Sequence, residues 1–88
     1  MKTRILVIGA NGQIGSELTE ALAARHGSEA VVASDIAAGG RCTQVAYEPL
    51  DVLDAAALAA LVARHRITQV YHLAAALSAR GEQHPVWA

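Results

Sequence analysis

The chain contains no phenylalanine, and its aromatic residues are confined to Tyr47, Tyr71 and Trp87. Platforms for stacking single-stranded bases are therefore scarce. Cysteine occurs once, at Cys42, so no internal disulfide can form, no ligand-spaced thiol accompanies it, and a reducing compartment is expected. Charge is thin as well. Only 17% of the 88 residues are charged, the net charge is −1 and no basic run is present, which argues against nucleic acid or a membrane surface as partner. No apolar run is long enough to span a bilayer, and the run that opens the chain meets a glycine too early for a signal peptide. The expectation is a cytoplasmic protein, with no membrane or nucleic-acid partner, forming one small domain or part of one.

What the chain does hold is apolar residues, 53% of the total, and a distinctive glycine pattern. Ile5 to Ile8 form a short continuous apolar run, the mark of a strand buried on both faces, and Gly9, Gly12 and Gly15 follow at a spacing of three. Gly9 can turn the chain sharply off the strand, Gly12 can let backbone approach a pyrophosphate, and Gly15 can let the next helix lie close. The N-terminus of that helix offers unpaired N–H groups and the positive end of its dipole to a phosphate. Three glycines alone are a weak signal, and packing alone could explain them. Their context is stronger: a second apolar run, 30–35, ends at Asp35, placed 20 residues past Gly15 to accept from the hydroxyls of an adenosine ribose.

From Gln13 to Arg25 the positions Ile14, Leu18, Ala21 and Leu22 fall on one helical face, and Gly27 is placed to stop the helix. Residues 36–43 read as a loop, and a third strand is expected over 44–48, interrupted by Pro49. Asp54 is a suitable N-cap for a helix over 55–65 that buries Leu58, Leu61 and Val62. A fourth strand over 69–73 would place His72 in the core, hydrogen-bonded there. Beyond it a polar loop, 78–83, leads to His84-Pro85-Val86-Trp87, which reads as the first turn of a helix. These elements make an α/β fold with a parallel sheet, and right-handed crossovers give strand order 3-2-1-4. The order reverses between strands 1 and 4, and a crevice is expected beyond their C-terminal ends.

Other residues invite chemistry and have simpler explanations. His26, His65, His72 and His84 are isolated from one another, so no metal site is expected. Asp54 is a helix cap, whereas Asp51 is open to two readings, a cofactor contact or a solvated turn residue. Ser78 has no base beside it and is either a substrate contact or a loop hydroxyl satisfying backbone. Cys42 and Trp87 read as packing residues. No Gly-Lys-Ser/Thr follows the glycines, which excludes a P-loop.

Four stretches resemble a known family: 8–18, 33–36, 50–54, and Tyr71-His-Leu-Ala-Ala75 continued by Leu77-Ser-Ala-Arg-Gly-Glu82. They are similar to the start of the extended short-chain dehydrogenases/reductases, and more closely to the NAD-dependent L-threonine 3-dehydrogenases, the last stretch being the discriminating one. The resemblance implies a Rossmann-type doubly wound sheet, here its first four strands and incomplete, and NAD as cofactor. It implies that Gly9, Asn11, Gly12, Gln13, Ile14 and Gly15 hold the pyrophosphate, and Asp35 and Ile36 the adenosine ribose. Asp51 and Val52 would flank the adenine, and Leu73, Ala74 and Ala75 would line the cofactor towards its nicotinamide. Ser78 and Gly81 would lie near a small-molecule substrate, with L-threonine suspected, and the full-length family member would be a homodimer. Residues 37–46, with Gly39-Gly40-Arg41-Cys42, stand outside the resemblance.

A carboxylate at position 35 would repel a 2′-phosphate, and Ile36-Ala37-Ala38 bring no arginine to receive one. Arg41 reads as too far along its loop, so NAD is expected over NADP. The family takes the substrate's hydroxyl proton with a tyrosine of a Tyr-x-x-x-Lys motif. Here Tyr47 and Tyr71 are followed four residues later by Asp51 and Ala75. These 88 residues are therefore expected to form the N-terminal portion of the cofactor-binding domain, to lack catalytic residues, and to be inactive alone. A sugar-nucleotide epimerase or dehydratase of the same superfamily is the enzymatic alternative. A stand-alone, non-catalytic nucleotide-binding module is the other.

Overall fold

The computed structural model describes residues 2–73. In chain order the elements are β1 (Ile5–Ile8), α1 (Gln13–His26), a 3-10 turn (Ser28–Ala30), β2 (Val31–Asp35), β3 (Ala46–Pro49), α2 (Ala55–His65) and β4 (Gln69–His72). The strands form one parallel sheet in the order β3-β2-β1-β4, as expected from the sequence. Ile8 is level with Ser34 on one side and His72 on the other, and Asp35 is level with Pro49. β1, β2 and β3 therefore release their following segments at one edge of the sheet. At the opposite edge Thr68 secures the start of β4: its hydroxyl accepts from the Arg4 N–H at 3.0 Å and donates to the Arg4 carbonyl at 3.1 Å.

Alternation of side chains across β1 and β2 builds two half-cores. Ile5, Val7, Val31 and Ala33 face α1, where Leu22 and Ala23 meet them. Leu6, Ile8 and Val32 face α2 and meet Leu61 and Leu50, with Leu58 and Val62 half-buried at the margin. Every residue of β1 is at most 2% exposed, the condition its unbroken apolar run anticipates for a central parallel strand.

Three local expectations need correction. Helix α1 does not pack through Ile14 and Ala21, which are exposed; its inward face is Gly15, Thr19, Leu22 and Ala23, with Leu18 half-buried. Thr19 tolerates complete burial because its hydroxyl donates to the Gly15 carbonyl at 2.7 Å. Pro49 ends β3 from inside rather than interrupting it. It sits on an edge strand where its missing N–H costs little, and the Leu50 N–H donates to the Asp35 carbonyl in its place. His72 is exposed, not buried, because β4 is the other edge strand and all four of its residues are open.

The helix ends follow the sequence closely. Gly27 closes α1 with φ +95° and donates to the Ala23 carbonyl. Asp54 caps α2 by accepting from the Ala57 N–H at 3.0 Å. Glu48, on β3, ties the sheet to the end of α2: it meets His65 Nε2 at 2.6 Å and Arg64 at 3.0 Å. The His65 hydrogen bond holds the Glu48 carboxyl below its ordinary value, with Arg64 assisting and burial opposing.

Candidate functional site

The segments after β1, β2 and β3 converge at the carboxyl edge of the sheet. The turn after β1 is tight. Gly9 takes φ +89°, and the Gly9 and Ala10 N–H groups both donate to the Ser34 carbonyl, at 2.9 and 3.0 Å. The helix start then comes almost into contact with that turn. A Cβ on Gly15 would lie 2.1 Å from the Gly9 carbonyl oxygen and 2.9 Å from the Ala10 Cα. Those atoms are backbone, so glycine is required there. Gly12, the N-cap, has φ −70° and ψ 168°, no side chain caps the helix, and no acid occupies its first turn. The positive end of α1 is thus left open to an anion.

Asp35 lies beside this cradle and is held from two directions. Its Oδ2 accepts from the Asn11 N–H at 2.9 Å and its Oδ1 from the Ile36 N–H at 2.8 Å. Each carboxylate oxygen has a second lone pair, so the pair can still accept from the two hydroxyls of a ribose. The carboxylate is oriented before any ligand arrives.

The loop 36–43 does not stand away from the glycine turn. The Asn11 amide donates to the Gly39 carbonyl at 3.0 Å, and its carbonyl oxygen accepts from the Arg41 N–H at 2.9 Å. The Arg41 guanidinium returns to the Asn11 backbone carbonyl at 3.2 Å. From β3 the Tyr47 hydroxyl reaches the Ala37 carbonyl at 2.6 Å and the Asp35 carbonyl at 3.1 Å, and accepts from the Asn11 amide at 3.4 Å. Burial, and secondarily the Asp35 charge, raises the Tyr47 pKa against the opposing Asn11 bond. The expectation that Arg41 lies too far along its loop is therefore corrected: it is bonded to Asn11, the residue that also holds Asp35. The cause is a set of side-chain bonds spanning 10 to 36 residues, which no local pattern reveals.

Of the remaining expected cofactor contacts, Gln13, Ile14 and Ile36 are exposed at this edge. Asp51 is exposed and makes a turn, its Oδ1 accepting from the Leu53 N–H at 3.0 Å, while Val52 is half-buried against the α2-side core. Leu73 packs beside the α1-side core. Ala74, Ala75, Ser78, Gly81, His84 and Trp87 lie outside the described residues. Sequence reading missed Tyr47 and also Leu53, which is 89% exposed. Ile14, Ile36 and Leu53 are three of the five large apolar side chains that stand open among the described residues, and each comes from a different segment of this one edge. Their only common signal in the sequence is position just past a strand or a glycine turn.

Two hollows, of about 420 and 500 Å³, lie at the other edge of the sheet. Lys2, Arg4, Arg25, His26 and Glu29 line the first, and Lys2, Arg4, Arg66 and Thr68 the second. Arg25 and Arg66 stand at helix C-termini, where cations offset the carbonyl ends of the dipoles. Among the described residues no group of three or more His, Cys, Asp or Glu is arranged to hold a metal, and no helix is long and apolar enough to cross a membrane.

A glycine cradle at a helix start, an anchored acid ending the second strand, and order 3-2-1-4 define a Rossmann-type dinucleotide-binding α/β unit. Residues 5–85 match the NAD-dependent epimerase/dehydratase family, and the chain belongs to that family. An uncharacterised epimerase/dehydratase of Staphylococcus saprophyticus is 36% identical over 97% of this chain and 28% of its own length. The holo form of a GalE-like L-threonine dehydrogenase from Cupriavidus necator superposes with a TM-score of 0.82 at 55% identity, covering 97% of this chain and 28% of that one. A partial-consensus L-threonine 3-dehydrogenase does so at 0.80 and 59%, over 97% of this chain and 27% of its own. The chain thus spans little more than a quarter of the length of the proteins it matches.

Proposed function

We propose that residues 1–88 form the NAD-holding portion of an oxidoreductase that oxidises L-threonine to 2-amino-3-ketobutyrate. The observation that carries the cofactor half is the Gly15–Gly9 approach beside an Asp35 already fixed by the Asn11 and Ile36 N–H groups. In this reading Gly9, Asn11, Gly12, Gln13, Ile14 and Gly15 surround the pyrophosphate, and Asp35 and Ile36 meet the adenosine ribose. Asp51 and Val52 flank the adenine, and Leu73, Ala74 and Ala75 run towards the nicotinamide. Ser78 and Gly81 serve the substrate. NAD, once bound, supplies the hydride acceptor; the proton-transfer groups come from outside these residues.

Threonine is favoured as substrate because the threonine dehydrogenase structures share 55% and 59% identity with this chain, against 36% for the S. saprophyticus relative. An epimerase or dehydratase acting on a sugar nucleotide is the second reading, favoured by the family that residues 5–85 match. The intact protein is assayed for NADH formation with L-threonine, and in parallel for conversion of a UDP-sugar. Threonine-dependent NADH formation is the expected result. Turnover of the UDP-sugar with no response to threonine overturns it.

A further inference from the structure

We infer that the amino edge of the sheet is a second anion-binding site, separate from the glycine cradle, for a small ligand carrying two or more linked phosphates. The two hollows there share Lys2 and Arg4. One opens from them towards Arg25 in the last turn of α1, the other towards Arg66 at the end of α2. Four of the chain's seven lysine and arginine residues thus meet at one edge of a protein whose net charge is −1. Volumes of about 420 and 500 Å³ are large enough for a small ligand.

Helix dipoles explain only part of this charge. Arg25 and Arg66 offset the carbonyl ends of α1 and α2, but Lys2 and Arg4 precede β1 and belong to neither helix. The only acid lining either hollow is Glu29, and none of the four cations has an ion-pair partner among the described residues. Set against Glu29 and two helix ends of roughly half a charge each, the four cations leave an excess of about two positive charges. Arg4 is held in place for a ligand. Its N–H donates to the Thr68 hydroxyl, and its carbonyl accepts from the Thr68 and Gln69 N–H groups at 2.8 and 3.1 Å. Its side-chain Nε is shut off from solvent and has no hydrogen-bond partner. A buried donor left unpaired is costly, and a phosphate drawn against the Arg4 guanidinium supplies the missing acceptor. Phosphate suits the site better than carboxylate: it brings three acceptor oxygens and nearly two charges, where a carboxylate brings two oxygens and one charge. Guanidinium forks bind it in bidentate fashion, and two hollows joined at Lys2 and Arg4 match two such groups in one ligand.

The test is a calorimetric titration of the intact protein with inorganic pyrophosphate, at low ionic strength so that the charges are not screened, with and without saturating NAD. The glycine cradle is the other place a pyrophosphate can go, and NAD is there to fill it, so binding is expected to persist in its presence. Arg4→Met keeps the length of the side chain and removes its donors and its charge. It is expected to weaken pyrophosphate by about tenfold or more, the low end for a charge-assisted hydrogen bond, and to leave NAD affinity unchanged. Should Arg4→Met fail to fold, the double variant Lys2→Gln, Arg66→Gln replaces it with the same expectation, since both side chains are exposed. Citrate is titrated in parallel and is expected to bind more weakly than pyrophosphate. Absence of pyrophosphate binding, its displacement by NAD, its indifference to these substitutions, or tighter binding of citrate overturns the inference. Failure of the unaltered protein to bind NAD overturns the cofactor reading instead, and the comparison with Arg4→Met still decides this one.

Discussion

Gly15 shows how much can rest on one missing methyl group. The obstacle to a Cβ there is the Gly9 carbonyl at 2.1 Å, part of a turn that is itself tied to β2 through the Ser34 carbonyl. The turn cannot retreat without breaking those bonds, so Gly15→Ala is expected to destabilise by about 3 kcal/mol, the upper end for overpacking. Denaturant midpoints check the stability, and NAD affinity is expected to fall with it. Unchanged stability would mean that the helix start is free to move. The close approach at Gly15 and the place of Asp35 at the end of β2 were legible in the sequence, because both follow from spacing to neighbouring elements. The bonds that join Asn11, Arg41 and Tyr47 to one another were not. They link the glycine turn, a loop and an edge strand 30 or 36 residues away, and short side-chain bonds of that kind leave no periodic trace.

Elements were legible where their ends are chemical signals. Asp54 and Gly27 mark their helix boundaries through groups that satisfy backbone, and the structure uses both. The inward face of α1 was misread because apolarity was counted and size was not: Gly15 and Thr19 face inward, where the helix must come close, and Ile14 faces outward at the cradle. The end of α2 falls at His65 as expected, although no glycine marks it. Arg66 takes the left-handed conformation, φ +54° and ψ +47°, at a position where glycine is the usual residue. Relief of that strain exceeds the extra chain entropy of glycine, so Arg66→Gly is expected to stabilise by about 0.5 kcal/mol. A higher thermal midpoint is the sign to look for, and a lower one would show that the Arg66 charge at the helix end matters more. The link from β3 to α2 carries its own prediction. Glu48 has its pKa lowered in the folded state, so its stabilisation is full above the ordinary carboxylate range and fades as pH falls through the lowered value. Glu48→Gln is expected to cost about 0.5–1 kcal/mol near neutral pH, a modest figure because the pair is partly solvated. The gap between the two proteins in urea should close on acidification, and a gap that persists at low pH would rule the ion pair out as its source.

At the scale of the molecule, the described residues cover the sheet unevenly. Parallel sheets are ordinarily buried on both faces, yet all four residues of β4 are exposed, with Val70 at 49% and Tyr71 at 37%. Helix α2 covers the β1–β2 centre through Leu61, while Leu58 and Val62 remain half-open. Eighty-eight residues made alone have little burial to spare, and an edge strand left open among the described residues is a template for another chain. A polypeptide of residues 1–88 made by itself is therefore expected to unfold over a broad temperature range, or to self-associate, when followed by circular dichroism and size-exclusion chromatography. Val70→Lys should suppress the association, because a charge on an edge strand disfavours pairing with a second edge. A monomer with a steep, reversible transition would show that the β1–β2 core suffices. The carboxyl edge of the sheet would then be a self-sufficient unit, and any affinity for ADP could be measured directly on these 88 residues.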